Sequence, residues 1–395
     1  MKYVVVGGAG AMGRITVKDL YETTKDTDKI VIADYDLAKA EELAKTFSKR
    51  VSAVKVDVNN HNDVVGILQG TEVLINSVQY QMNLKLMEIA LDLKCHYIDL
   101  GGLFHYTNKQ LELNERFKKI NKLAIIGMGA APGITNLLAK YCSDEMDSVN
   151  EIHIRLASKD KTKYDSIPAL GVSYSLKTIL EEFSYEPAVF TKGKFKFVKP
   201  MSGAINHKFP LPIGTQKPMF TIHSEVATLP LSYKNKGVKE VSFKIAFDHD
   251  FTAKVKFLRD LGMASHDSIK IGEIEVAPID VINKIAMSQP IPKIKGHLNQ
   301  YEIVRAIVKG TINNKKVTWV ADCHCSGKKE WHLGTDINTG CPPSIVAQML
   351  INGKINKTGV LPPEECIETK PFFEELEKRE MFLKVLKKDG WSFLT

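Results

Sequence analysis

An α/β protein with a doubly wound parallel sheet, followed by a second α+β unit, is what the sequence predicts from three observations. A hydrophobic run, Tyr3-Val4-Val5-Val6, enters the glycine turn Gly8-Ala9-Gly10-Ala11-Met12-Gly13 and leaves it in the helical pattern Arg14-Ile15-Thr16-Val17. Short apolar runs then alternate with amphipathic stretches as far as residue 126. After Gly127 the pattern changes to period-two alternation, the mark of an antiparallel sheet with one covered face.

The elements follow in order. Strand candidates in the first region are Lys2–Val6, Lys29–Asp34, Ala53–Asp57, Glu72–Asn76, His96–Asp99 and Leu123–Ile126. Helical patterns fall between them at Leu37–Phe47, Asp63–Gln69, Leu84–Leu93 and Leu111–Ile120, so 1–126 reads as a parallel doubly wound domain. A substrate domain is assigned to 127–335, with alternating strands at Glu151–Leu156 and Val241–Phe247. Tyr301–Val308 and Lys316–Cys325 flank the turn Gly310-Thr311-Ile312-Asn313-Asn314 and predict a hairpin. Helices are expected at Ser175–Phe183, Phe251–Leu261 and Asp280–Met287. From 336 to 395 the chain reverts to helices, clearest at Ser344–Leu350 and Pro371–Met381, which are expected to pack back on the first domain.

The glycine spacing is that of a dinucleotide-binding Rossmann turn. Gly8 would make the tight turn, Gly10 would let backbone approach a pyrophosphate, and Gly13 would allow close helix–strand packing. The N–H groups of Ala11 and Met12, with the helix dipole, would face that pyrophosphate. A second apolar run, Ile30-Val31-Ile32-Ala33, ends in Asp34, about twenty residues past Gly13, where a carboxylate accepts from the ribose hydroxyls. Tyr35 follows and no cation precedes Lys39, so NAD is expected over NADP; Lys39 or Arg50 are the cations that could reach a 2′-phosphate. Asp57 with Val58, and Asn76, sit at the ends of the third and fourth strands, at the edge where a dinucleotide lies; Asp and Asn also simply terminate strands.

Composition narrows the class. The 395-residue chain is 44% hydrophobic and 25% charged, as ordinary globular proteins are. Its net charge of +8 is spread without a basic block or interleaved aromatics, which argues against nucleic acid. No apolar run approaches the ~18 residues of a membrane helix. Six cysteines in this length do not form a disulfide framework, and a cytoplasmic address is expected. Cys323-His324-Cys325 is no metal site on a regular strand, because the cysteines point to one face with Val317, Trp319 and Ala321, and His324 to the other.

Several segments together resemble the saccharopine dehydrogenase-like family: the opening glycine loop, Gly127-Met128-Gly129-Ala130-Ala131-Pro132-Gly133-Ile134-Thr135-Asn136, Thr339-Gly340-Cys341-Pro342-Pro343, and Gly359-Val360-Leu361-Pro362-Pro363-Glu364. Ile98-Asp99-Leu100-Gly101-Gly102 and the Asn76–Tyr80 stretch look most similar to the lysine 6-dehydrogenases. Saccharopine-forming reductases tend to carry Asp where this chain has Ala131. The resemblance implies a Rossmann domain, an inserted substrate domain and a homodimer or higher oligomer. It also implies oxidation of an amine carbon with NAD(P) as hydride acceptor, the ε-amine of L-lysine being the leading substrate. A saccharopine-type secondary amine is the alternative within the family, and a non-catalytic NAD(H) sensor is the alternative outside it.

Hydride transfer from an amine needs alignment and a neutral nitrogen, whereas a lysine amine ordinarily titrates near ~10.4. His105, after the Gly101-Gly102 pair, could accept the ammonium proton or be a surface-loop histidine. Tyr80 could hydrogen-bond substrate or nicotinamide, or cover apolar surface. Asp99 could anchor a cationic amine or cap its loop. In the Gly129–Asn136 loop, Pro132-Gly133 imposes a tight turn whose following N–H groups, with Gly129 and Pro132, could face the nicotinamide amide or a substrate carboxylate; Asn136 could bind substrate or be an ordinary polar residue of that helix's first turn. The segment around His223 and Thr228 corresponds, by the resemblance, to one that lines the substrate pocket. Arg155 or Arg305 could fork a substrate carboxylate, although alternating strands put both on a face that solvent would bathe.

Overall fold

The computed structural model describes residues 1–166, 169–170, 175–290 and 292–388. Its first sheet is built from β1 (Lys2–Val6), β2 (Lys29–Asp34), β3 (Val51–Lys55), β4 (Val73–Asn76), β5 (His96–Asp99) and β6 (Leu123–Ile125). All are parallel, in the order β6-β5-β4-β1-β2-β3, and Gly359–Leu361 adds a seventh strand beside β6. Helices cover both faces, which explains why the strands are near-continuous apolar runs. Tyr3 and Val5 face one core; Val4 and Val6 face the other.

The helix expected at Leu111–Ile120 is the shorter Asn114–Lys119, and a separate helix that the pattern did not announce, Leu103–Leu111, precedes it. The break presents Asn114 to the returning seventh strand, where its Oδ1 accepts the Val360 N–H at 2.9 Å. A Cβ on Gly359 would lie 2.2 Å from that oxygen, so the contact demands glycine.

The second sheet runs Met381–Lys388, Lys315–Cys325, Gln300–Ile312, Ser148–Asp160, Glu240–Ala246, Ala188–Thr191, Lys194–Phe197, with Met219–Phe220 also on Glu240–Ala246. It is antiparallel except where Ser148–Asp160 and Glu240–Ala246 run parallel. The hairpin turn is shorter than expected. Asn313 and Asn314 alone form it, both at positive φ (50° and 61°), as the tightest hairpins require. Gly310 belongs to the strand, paired with Val317, and the position demands glycine because a Cβ there would meet Ser148 O at 2.0 Å.

The last segment is not purely helical. Pro342–Ile351 packs on α1 (Gly13–Thr23), and buried Arg379 makes a fork to buried Asp19 on α1 at 2.6 and 2.9 Å. Removing either partner would strand a buried charge. The expected Pro371–Met381 helix is instead Thr369–Glu377; Glu380 at φ 62° ends the helical run, and Met381 opens a strand. One hydrophobic cluster joins the two sheets through the helix Ile134–Asp144, whose Leu137 and Leu138 share it with Val5 on one side and Ile154 and Val304 on the other. The crevice past the carboxyl ends of β4 and β5 is therefore held against the second domain by a continuous core.

Candidate active site

The glycine turn has the shape a dinucleotide needs. Gly7 turns the chain at φ 72°, so the tight turn belongs to Gly7 rather than to Gly8. Gly8 is needed for space: a Cβ would sit 2.8 Å from Val5 O. At Gly13 a Cβ would be 2.2 Å from Gly7 O, which enforces the close helix–strand approach, and at Gly10 it would be 3.1 Å from the same atom. Among the described residues, the Ala11 and Met12 N–H groups have no partner within the chain, leaving two donors at the start of α1 for a phosphate.

Asp34 ties this turn to β2, its carboxylate accepting from Ala9 N at 3.0 Å and Asp36 N at 3.1 Å. Lys39 pairs with Asp36 at 3.2 Å. Arg50 stacks over Tyr21 and donates to Thr24, so it is committed to the far end of α1. Asp57 lies just past β3 with Asn59 donating to it, and Val58 packs half-buried beside it. Asn76 turns inward. It donates to Asn83 Oδ1 and to Tyr97 Oη, both at 2.9 Å, and accepts from Val78 N, so it shapes the turn after β4 instead of reaching a ligand.

Asp99 is 1% exposed and fully employed. It accepts from Gly101 N at 2.9 Å, Gly127 N at 2.7 Å and Gln110 Nε2 at 2.5 Å, and burial raises its pKa. It organises the loops after β5 and β6. The Pro132 ring fills the space beside Gly101 and Gly127, and Gly129 N donates to Pro132 O, closing that turn.

Asn136 and Thr228 are also bonded within the protein. Asn136 Oδ1 accepts from Gly133 N at 3.0 Å, capping its helix, while Nδ2 donates to Thr228 Oγ1 at 3.3 Å and to Glu364 Oε2 at 2.8 Å. Burial pushes Glu364 up to about 7. His223 stacks flat on Phe243, 3.7 Å between centroids, with Nδ1 against buried Glu225, which in turn accepts from Thr135 Oγ1. Arg155 and Arg305 lie on the opposite face of the second sheet from Ile154 and Val304, and are buried there rather than bathed by solvent. Arg305 is forked onto Asp322 at 2.6 and 2.7 Å; Arg155 bonds Ile154 O and Ser242. Cys323 and Cys325 are buried on the Trp319 face, and His324 lies on the other side, 3.8 Å from Asp322.

What the crevice does contain is a cavity of about 310 Å³ beyond β4 and β5. Tyr80 and Gln81 line it from the turn after β4, Leu103, His105 and Tyr106 from the helix after β5, and Glu181 and Tyr185 from the second domain, with Ile222 and His266 completing the wall. His105 is on the first turn of a helix, not on a loop, exposed at the rim and stacked on Phe197. Tyr80 packs edge-on to Tyr106, 4.9 Å between centroids, with its hydroxyl hydrogen-bonded to Glu181. Burial pushes the Tyr80 phenol upward, the wrong direction for a base. Glu181, 1% exposed, accepts from Gln81 Nε2 at 3.1 Å and His266 Nε2 at 2.8 Å, and burial raises its pKa against those donors.

Glu181, Gln81, Tyr106, Tyr185 and His266 escape a reading of the sequence alone. One signal for them was present: Glu181-Glu182 sits within Leu176, Ile179, Leu180 and Phe183, and two acids on so apolar a helix want an explanation.

Comparison with known proteins gives a consistent frame. Residues 4–125 match the family model described as saccharopine dehydrogenase NADP binding domain, and 129–381 match the saccharopine dehydrogenase C-terminal domain. Carboxyaminopropylagmatine dehydrogenase of Synechocystis sp. is 22% identical, with 95% of each chain covered. Carboxynorspermidine synthase of Vibrio alginolyticus is 20% identical, with 93% of each covered. Among solved structures, saccharopine dehydrogenase (L-Glu forming) of Saccharomyces cerevisiae superposes with TM-score 0.74 at 16% identity, covering 98% of this chain and 99% of that one. Homospermidine synthase of Legionella pneumophila, in complex with NAD, gives 0.68 at 13%, covering 98% and 92%.

Proposed function

The chain belongs to the saccharopine dehydrogenase family of NAD(P)-dependent oxidoreductases acting on amine groups, and from that premise we propose that its substrate is a secondary amine, one arm carrying a carboxyl group and the other a further cationic nitrogen. The observation that carries this reading is the acid- and tyrosine-lined cavity past the carboxyl ends of β4 and β5, where ligands of open α/β sheets bind. The two curated relatives, both named for carboxyalkylated polyamines and both matched over nearly their whole length, point the same way.

In the breaking direction, a CH–NH–CH group loses a hydride to NAD(P)+ and a proton to the site, giving an imine; water adds, the C–N bond breaks, and an aldehyde and a primary amine leave. In the forming direction the same steps run backward. NAD(P), when bound, accepts or supplies that hydride. Gly8, Gly10 and Gly13 would make its cradle, Ala11 and Met12 would offer N–H donors, and Asp34 would accept from the ribose hydroxyls. The Asp34 carboxylate would repel a 2′-phosphate, which supports NAD over NADP. In this scheme His105 at the rim takes the proton and passes it to solvent, while Tyr80 is held in place by Glu181.

Oxidation of the L-lysine side-chain amine is the second reading, favoured by the resemblance of Ile98–Gly102 and Asn76–Tyr80 to the lysine 6-dehydrogenases. The six buried, unbridged thiols suit a reducing cytoplasm, and a homodimer or larger homo-oligomer completes the proposal. Absorbance at 340 nm decides between the readings, with NAD or NADP and a panel of L-lysine, saccharopine and a carboxyaminopropyl polyamine. Turnover of the polyamine adduct is expected. Turnover of lysine alone would replace the first reading with the second, and silence with every amine despite cofactor binding would leave a sensor.

A further inference from the structure

We infer that Glu181, Gln81 and the tyrosines around them form a subsite for a primary alkylammonium at the far end of the substrate, which His266 fills when no amine is bound. The inference rests on the amine-oxidoreductase reading above and adds to it which group is recognised, and by what.

Three observations converge. The cavity is aromatic and acidic at once: Tyr80, Tyr106 and Tyr185 line it together with Glu181, a carboxylate 1% exposed. Aromatic faces around a carboxylate attract a cation through ring quadrupole and charge. Next, the structure shows what kind of group Glu181 accepts. His266 Nε2 lies 2.8 Å from Glu181 Oε1, so a nitrogen donor already stands where an ammonium would, and it comes from a half-exposed side chain on the connection after the His249–Asp260 helix. Finally, Gln81 donates through Nε2 to Glu181, yet its Oε1 is buried without a donor. A buried acceptor left unpaired costs about 1–3 kcal/mol, and an incoming N–H would relieve that. An –NH3+ group has three donors, and the site offers Glu181, Gln81 Oε1 and an aromatic wall.

The ligand class follows. A compact primary ammonium on an alkyl chain fits the carboxylate and the orphan carbonyl oxygen together; a neutral alkyl end would leave both unsatisfied. Discrimination against the analogue lacking that nitrogen should be large, because the buried polar groups would then go unpaired.

Binding and turnover test this separately. Calorimetry with 1,3-diaminopropane and with its neutral isostere 1,3-propanediol needs no catalysis. Wild type should bind the diamine at least about tenfold more tightly, and E181Q, which keeps the side-chain shape, should erase the difference. H266A should bind the diamine more tightly than wild type, because the internal competitor is gone. In turnover, the ratio of kcat/KM for an aminoalkyl-armed substrate over its des-amino analogue should exceed about thirtyfold and fall to about threefold or less in E181Q. Diamine binding that E181Q leaves intact, or weaker binding by H266A, would overturn the subsite even if the amine chemistry is confirmed. Diamine binding lost in E181Q, with no amine oxidised by wild type, would keep the subsite and overturn the catalytic reading.

Discussion

Two buried carboxylates, one at the end of β5 and one lining the cavity beyond it, are told apart by their partners. Asp99, at the end of β5, is surrounded by backbone N–H groups and a glutamine amide, donors that belong to the fold and cannot leave it. Glu181, reaching in from the second domain, is held by the side chains of Gln81, Tyr80 and His266, each able to turn away. Both are raised by burial. The difference teaches that burial and a raised pKa do not by themselves mark a functional acid; donors that can be exchanged for a ligand do.

The comparison breaks most readily at Asp99. D99A leaves the Gly101 and Gly127 N–H groups without their acceptor, and at about 1–3 kcal/mol for each buried orphan the loss should reach about 3 kcal/mol or more in urea unfolding. E181A should cost less than about 1 kcal/mol, since its donors can turn to water in the cavity. Equal losses would erase the distinction. H105A should lower kcat about a hundredfold while leaving the urea midpoint in place, and a change under threefold would remove His105 as the proton acceptor. Asp34, at the end of β2, is half-buried and bonded to two backbone N–H groups of its own neighbourhood. D34A should narrow the preference for NADH over NADPH about tenfold, read from the two dissociation constants; an unchanged ratio would move cofactor choice elsewhere.

A pH-dependent effect sharpens the comparison with a sealed acid. Burial pushes Glu302, bonded to Asn338, from 4.5 to about 7. The folded state then holds a proton that the unfolded chain has released, so stability falls as pH rises from about 4.5 to 7, by up to about 1.4 kcal/mol per unit. His96 and His153, held down near 4 by burial, oppose it: the unfolded chain binds their protons between about 4 and 6.5, so they make stability rise across that window. E302Q removes Glu302's share of the fall and leaves that of the other raised acids, Glu364 among them, so it should gain on wild type as pH is raised from 5 to 7. A constant difference would show that Glu302 ionises normally.

Much of the fold was legible because local rules agree with the global arrangement. β1, β2 and β5 match their predicted ranges, since strands buried on both sides announce themselves as apolar runs. The last segment was misread at its end because Met381-Phe382-Leu383-Lys384-Val385-Leu386 suits a strand only when Lys315–Cys325 is there to pair with it. The site was legible in part. The glycine turn and Asp34 could be found because their chemistry is encoded within one βαβ unit. Asn76, Asn136 and Thr228 carry the right atoms but spend them inward, which no spacing reveals. Glu181 and His266 lie far from Tyr80 in sequence, and only the packing of two domains brings them together.

The strand Gly359–Leu361 carries a consequence for how the protein is made. It pairs with β6, yet the whole second domain is synthesised between them. At translation rates of roughly 5–20 residues per second, the nascent chain spends on the order of ten seconds or more with β6 as a bare edge. Such an edge is a template for pairing with another chain. Shortening the gene before this strand would therefore yield no free-standing cofactor domain but a polypeptide frozen in that vulnerable interval, waiting for a partner it will never receive.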